Sequence, residues 1–322
     1  MSGLRFEPAF KAWRDALPGT PSPPPTNLAE IRAMFNTFTA MAFSTIIVSP
    51  DIQKTAHGVP SGQNPQLTVT HFFTAQHRTA TEAQPALFWI HGGGMVAGTV
   101  DIFSPYISSY VTSSGVQVFA VDYRKAPEDP APAALEDCYA ALLWVLGHAA
   151  DFHLDPARVG IYGDSAGGGL AAGTVLAARD RGLNPPLAKQ ILVYPMLDDR
   201  TITRVTADMS RKDFLVWTVD NNTTGWRAYL GEDKAGKEDV DVSIYAAPSR
   251  ATDLTRLPST YVDVGTLDLF RDESIDYVAR LTKADVEVEL HLYPGLPHGF
   301  EFSGIESAQR ALENRVKAMQ SF

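Results

Sequence analysis

Residues 158–180 read RVGIYGDSAGGGLAAGTVLAARD, and the fold turns on how this stretch is read. RVGIY is apolar and partly β-branched, as a buried strand should be, whereas LAAGTVLAARD carries apolar residues at helical spacing. Between them, Gly163-Asp164-Ser165-Ala166-Gly167 fits G-x-S-x-G. A chain that passes from strand to helix in so few residues forces the central residue into a strained conformation with its side chain exposed. Glycine is required at 163 and 167 because a Cβ at either position would collide with the adjoining strand and helix. The amide of Ala166 then lies at a helix N-terminus, where donors are unpaired and the dipole favours an anion.

Outward from this turn, strand-like runs occupy 66–73, 86–90, 116–123, 158–163, 189–195, 260–265 and 286–293. Segments with 3.6-residue periodicity alternate with them at 132–147, 166–181, 272–284 and 305–320. Several strands are apolar on both faces, so the alternation predicts an α/β fold with a mostly parallel central sheet flanked by helices. Two regions interrupt the pattern. Residues 1–55 hold a proline-rich hinge at 18–26 and then NLAEIRAMFNTFTAMAF; residues 200–247 hold DFLVWTVDNNTTGWRAYL between two strands. Together they predict a small helical cap over a catalytic domain of residues 56–199 and 248–322.

A serine hydroxyl is a poor nucleophile unless a base takes its proton. Of eight histidines, His298 in YPGLPHGF follows the final strand, on the face where α/β sheets carry their chemistry. His291 lies inside that strand and is expected to pack within the sheet. The base needs an acid to hold its tautomer. Asp268, just past the strand TYVDVG, is the leading candidate, with Asp272 as the alternative; Asp272 and Glu273 also suit a helix start. The order Ser165, Asp268, His298 is that of the α/β-hydrolase triad.

HGGG at 91–94 directly follows the strand ALFWI. Amides that stabilise an oxyanion must approach it to about 3 Å. Side chains would obstruct that approach, which explains Gly92, Gly93 and Gly94. The stretch lacks both the lysine of a phosphate-binding loop and the spaced glycines of a dinucleotide fingerprint. His91 is expected to brace the loop through a hydrogen bond.

HGGG, DYRKAPEDPAPAALEDC (122–138), GDSAGG (163–168), LDLFRDE (267–273) and HGF (298–300) together resemble the hormone-sensitive-lipase-like (family IV) carboxylesterases of the α/β-hydrolase superfamily. The resemblance implies the α/β-hydrolase fold, with Ser165 as nucleophile, His298 as base and Asp268 as its orienter. It also implies oxyanion donors at the amides of Gly93, Gly94 and Ala166, and a homodimer through the edge of the last strand, 286–293. Two positions depart from the family pattern. Met95 stands where an aromatic residue commonly follows HGGG, and Asp129 where histidine commonly follows APE. A flexible methionine is expected to reshape the site wall.

The chemistry so implied is a serine carboxylesterase for small, fairly hydrophobic esters with short acyl chains, its pocket formed by Phe35, Phe38, Met41, Met95, Phe214 and Trp217. The same triad also serves a specialised lactone or amide hydrolase, or an acyltransferase. A non-enzymatic small-molecule receptor on this fold is expected to lack the histidine. No metal or organic cofactor is implied. A formal charge of −10 without a run of Lys or Arg argues against nucleic acid and anionic membranes as partners. The single cysteine, Cys138, sits in a helix-like segment and reads as an inert buried thiol. The N-terminus has no apolar signal core, and the longest apolar patch, 41–48, is too short to span a bilayer, which predicts a soluble, cytoplasmic protein.

Overall fold

The computed structural model describes residues 3–17, 25, 27–205 and 209–322. Among them, eight strands form one sheet: β1 (Gln53–Gly58), β2 (Thr68–Phe73), β3 (Gln84–Ile90), β4 (Gln117–Val121), β5 (Leu154–Asp164), β6 (Lys189–Val193), β7 (Ser259–Gly265) and β8 (Val288–Tyr293). Their spatial order is β1-β2-β4-β3-β5-β6-β7-β8. Only the β1/β2 and β2/β4 pairs are antiparallel; β4 through β8 run parallel. The chain order reverses at β3, which pairs with β4 on one side and β5 on the other, and a crevice opens beside such a switch point.

Side chains alternate across the sheet because successive residues of a strand point to opposite faces. Phe88 and Ile90 of β3 join Ile161 of β5 under the helices Ala133–Gly147, Ala166–Asp180 and Arg271–Lys283. Leu87 and Trp89 join Tyr162 under Val100–Ser114 and Glu306–Met319 on the other side. With both faces covered, the central strands β3 to β7 are almost wholly buried, so their apolar runs are continuous rather than alternating.

The seven expected strands are all present, and the expected helices are observed at 133–147, 166–180, 271–283 and 306–319. Among the elements that escaped the sequence pattern, besides the short helix Ala75–Thr79, are one strand and one long helix. β1 begins at Gln53, inside the stretch assigned to the N-terminal segment; it is a polar, largely exposed edge strand with no apolar face to announce it. The helix Val100–Ser114 carries Pro105 and five serines among its apolar residues, which obscures its periodicity. The N-terminal region contributes the helices Pro8–Asp15 and Leu28–Phe43, while Val219–Leu230 lies in the block at 200–247. The proline-rich hinge at 18–26 falls outside the described residues apart from Pro25. No helix of the described residues is long and apolar enough to cross a membrane. Cys138 is fully buried, and burial holds its thiol well above the ordinary value.

Candidate active site

The C-terminal ends of neighbouring strands are in register, Ile90 beside Gly163, Asp164 beside Val193, and Gly265 beside Tyr293. The loops that leave these ends therefore meet at one edge of the sheet. The sharpest of them is the turn from β5 into Ala166–Asp180, where Ser165 has φ 56° and ψ −121°. That strained conformation is held by neighbours: the Ser165 amide donates to Val193 O at 2.8 Å, and Ser165 O accepts from the amides of Gly169 and Met196. A Cβ on Gly163 would lie 2.1 Å from Gly167 O, and one on Gly167 2.1 Å from Ile90 O. Both glycines are thus fixed by close backbone approach.

His298, in the loop after β8, brings Nε2 to 3.0 Å from Ser165 Oγ. Its Nδ1 lies 2.8 Å from Asp268 Oδ2, and Asp268 Oδ1 accepts from the Phe270 amide at 2.9 Å. Asp268 is completely buried. Burial alone would depress the His298 pKa, but the Asp268 carboxylate in hydrogen-bond contact, with Glu301 and Asp164 nearby, outweighs it and raises the imidazole above its ordinary 6.5. Asp272, the alternative acid, instead pairs with Arg211 and Arg271 at 2.7 Å each, at the start of its helix. His291 sits on the edge strand, partly exposed, with Nε2 2.7 Å from Glu289.

The glycine loop after β3 lies across from Ser165. Gly93 and Gly94 have φ of 124° and 62°, the left-handed half of the map where glycine costs least. Among the described residues, neither of their amides nor that of Ala166, at the first position of its helix, donates to a protein acceptor outside regular structure. Gly93 and Gly94 line the pocket beside Ser165, and the Ala166 amide follows the serine at the helix start; the three suit an oxyanion. His91 is fully buried, stacks on Tyr123 at 4.5 Å and bonds the Gly92 carbonyl through Nδ1 at 2.7 Å, so it braces the loop from beneath. Burial and the nearby Lys125 charge keep it neutral by lowering its pKa.

A cavity of ≈ 260 Å³ opens on Ser165 and His298. Of the six expected pocket residues, Phe35, Phe38 and Trp217 line it. The other three do not. Met95 is buried in the core beneath the glycine loop, near the helix that starts at Ala166, and so leaves the wall of the site unchanged. Met41 is 62% exposed on the outer side of its helix. Phe214 packs edge-on to Phe6, with ring centroids 4.9 Å apart. Helical spacing explains the Met41 error: from Phe35, the inward positions are Phe38, Thr39 and Phe43, and Met41 points away. Asp129, the second departure from the family pattern, pairs with Arg124 at 3.5 Å on the surface.

Several lining residues carry no motif and were missed, among them Trp13, Tyr194, Asn221, Glu301 and Phe302. Glu301 was the most legible of these, as an acid three residues past His298. Asp164, within the serine motif itself, is buried and accepts from the Gly92 amide at 3.2 Å. Burial, reinforced by the Glu301 charge, pushes its carboxyl up to about 7. Among the described residues, no three His, Cys, Asp or Glu side chains are placed to share a metal ion.

Comparison with known proteins is consistent with this geometry. A family model described as the alpha/beta hydrolase fold matches residues 87–302. Among curated relatives, Esterase LipI of Mycobacterium tuberculosis is 35% identical over 233 residues, covering 72% of this chain and 70% of that protein. Carboxylesterase NlhH of the same species is 36% identical over 225 residues, covering 67% of this chain and 66% of that protein. Among solved structures, a bacterial heroin esterase superposes with a TM-score of 0.86 at 37% identity, covering 98% of this chain and 97% of the other.

Proposed function

This chain belongs to the α/β-hydrolase-fold family, in its hormone-sensitive-lipase-like branch, and is a carboxylic ester hydrolase; we propose that it works through Ser165, His298 and Asp268 on small esters with short acyl chains. The observation that carries the reading is the continuous hydrogen-bonded line from Ser165 Oγ through His298 to Asp268, 3.0 and 2.8 Å long, in the wall of a largely apolar pocket.

In this reading Ser165 Oγ attacks the ester carbonyl while His298 Nε2 takes its proton. Asp268 keeps the Nδ1 proton in place and stabilises the imidazolium. The carbonyl oxygen, now negative, is held by the amides of Gly93, Gly94 and Ala166. His298 returns its proton to the departing alcohol, leaving an acyl group on Ser165. Water then enters by the same route, and the acid leaves. A pocket of ≈ 260 Å³ suits short acyl chains better than long ones.

The segments at 1–55 and 200–247 act together as a cap. Phe35 and Phe38 come from the first, Val216 and Trp217 from the second, and all four line the pocket. A homodimer through the free edge of β8 and a cytoplasmic setting belong to the same reading. The first measurement is hydrolysis of p-nitrophenyl esters from acetate to palmitate by wild type and Ser165→Ala. Activity that peaks at short chains and is lost in the variant is expected. Activity that survives Ser165→Ala assigns the nucleophile elsewhere.

A further inference from the structure

Among the described residues, the pocket wall carries two carboxylic acids, Asp164 and Glu301, and no lysine or arginine. Glu301 is 94% buried by its 6% exposure and sits three residues beyond His298 in the turn Phe300–Ser303. Its Oε1 accepts the Tyr194 hydroxyl and lies 3.7 Å from Arg315 Nη1. Arg315 is already committed to Asp263 through two bonds of 2.7 and 3.0 Å. One arginine therefore faces two carboxylates, and it pairs closely with Asp263 while standing 3.7 Å from Glu301, which is left with only part of a positive charge. No described residue donates a hydrogen bond to Glu301 Oε2 or to Asp164 Oδ1. A buried carboxylate oxygen without a donor is costly, and a positive charge brought close to it recovers that cost.

The rest of the wall is suited to the same charge. Phe35, Phe38, Trp217 and Phe302 line the cavity, and an ammonium group is attracted to the faces of such rings. The position of Glu301 also identifies which half of an ester it meets. His298 must reach the leaving oxygen to protonate it, so the alcohol portion lies on the His298 side. Tyr194, bonded to Glu301, packs on the His298 ring with centroids 4.3 Å apart.

Resting on the carboxylesterase reading, we propose that the preferred substrates are esters of amino alcohols, whose cationic nitrogen is held in the pocket by Glu301 and the surrounding aromatic rings. In the reaction the acyl–oxygen bond breaks; water supplies hydroxyl to the acyl carbon and a proton to the alcohol oxygen, and the ammonium group is unchanged.

The test compares acetylcholine with 3,3-dimethylbutyl acetate, which has the same shape with carbon in place of the charged nitrogen. In wild type, kcat/KM for the cationic ester is expected to exceed that for the neutral one by about fivefold or more. In Glu301→Gln, where the amide oxygen still accepts from Tyr194, the ratio is expected to fall to about one. The ratio is the readout because it cancels any loss common to both esters. A wild-type ratio of one or less overturns the inference, and this arm decides even if the variant does not fold. A ratio that Glu301→Gln leaves unchanged overturns it too. Cleavage of the neutral ester in either case leaves the carboxylesterase reading intact; that reading fails only if both acetates and the p-nitrophenyl series are inert.

Discussion

Asp164 and Gly92 join the two loops of the site: the carboxylate that precedes the serine accepts the amide that opens the glycine loop, at 3.2 Å. The bond lies in a fully buried place, where ionising Asp164 is unfavourable and its pKa rises to about 7. An unfolded aspartate titrates near ~3.9. Between these values the unfolded state is ionised while the folded state holds the proton, so stability falls as pH rises and the penalty is complete above pH 7. Asp164→Asn removes the penalty and keeps an oxygen for Gly92. Its melting temperature should match wild type near pH 4 and exceed it above pH 7, by the equivalent of up to about 3–4 kcal/mol. Thermal melts at several pH values decide this; a constant difference between the proteins would contradict it.

Only neutral His298 can accept the serine proton. Its pKa lies above 6.5 in the folded protein, so kcat/KM should rise with pH through a midpoint above 6.5 and then level off. A pH–rate profile on a neutral ester measures the midpoint. Activity that stays flat to pH 5 would rule out His298 as the base.

Asp268→Asn exchanges the buried acceptor of His298 Nδ1 for a group that cannot stabilise the imidazolium. A fall in kcat of about 10⁴ is expected, with the acid limb of the profile displaced to lower pH because the main contribution raising His298 is gone. The paired loss separates this role from simple misplacement of the ring, which would leave the midpoint where it was.

Gly167→Ala places a methyl 2.1 Å from the Ile90 carbonyl. Helix and sheet would have to separate at the point where Ser165 is held. The expected cost is about 3 kcal/mol or more, together with loss of esterase activity, measured by urea unfolding and p-nitrophenyl acetate turnover. At Gly147, where a Cβ meets nothing within 4 Å and the backbone is not left-handed, alanine should leave turnover intact.

Arg315→Met leaves Asp263 buried without its bidentate partner. Removing one side of a buried pair typically costs about 3–5 kcal/mol, and chemical denaturation should show a loss of that size. A double variant, Arg315→Met with Asp263→Leu, should recover much of it.

The fold and the reacting groups were legible because each left a local pattern. Strand β5, the turn at Ser165 and the helix after it follow from glycine placement and a change of period within 23 residues, and the triad follows from which strand ends each residue trails. The pocket was not legible to the same degree. Phe35 and Phe38 lie inward and Met41 outward on one helix, a distinction of rotation that apolar character alone does not carry. Met95 occupies a motif-adjacent position, yet a positive φ of 64° turns it into the core. Arg315 and Asp263, 52 positions apart, meet only because the last helix crosses β7, and nothing in either local sequence announces the pair.

The helix Leu28–Phe43 supplies much of the pocket wall and none of the reacting atoms. Mutations there can alter which molecules are admitted while leaving the rate of bond cleavage for an admitted one untouched. Descendants of this chain can therefore change diet one aromatic residue at a time without passing through an inactive ancestor.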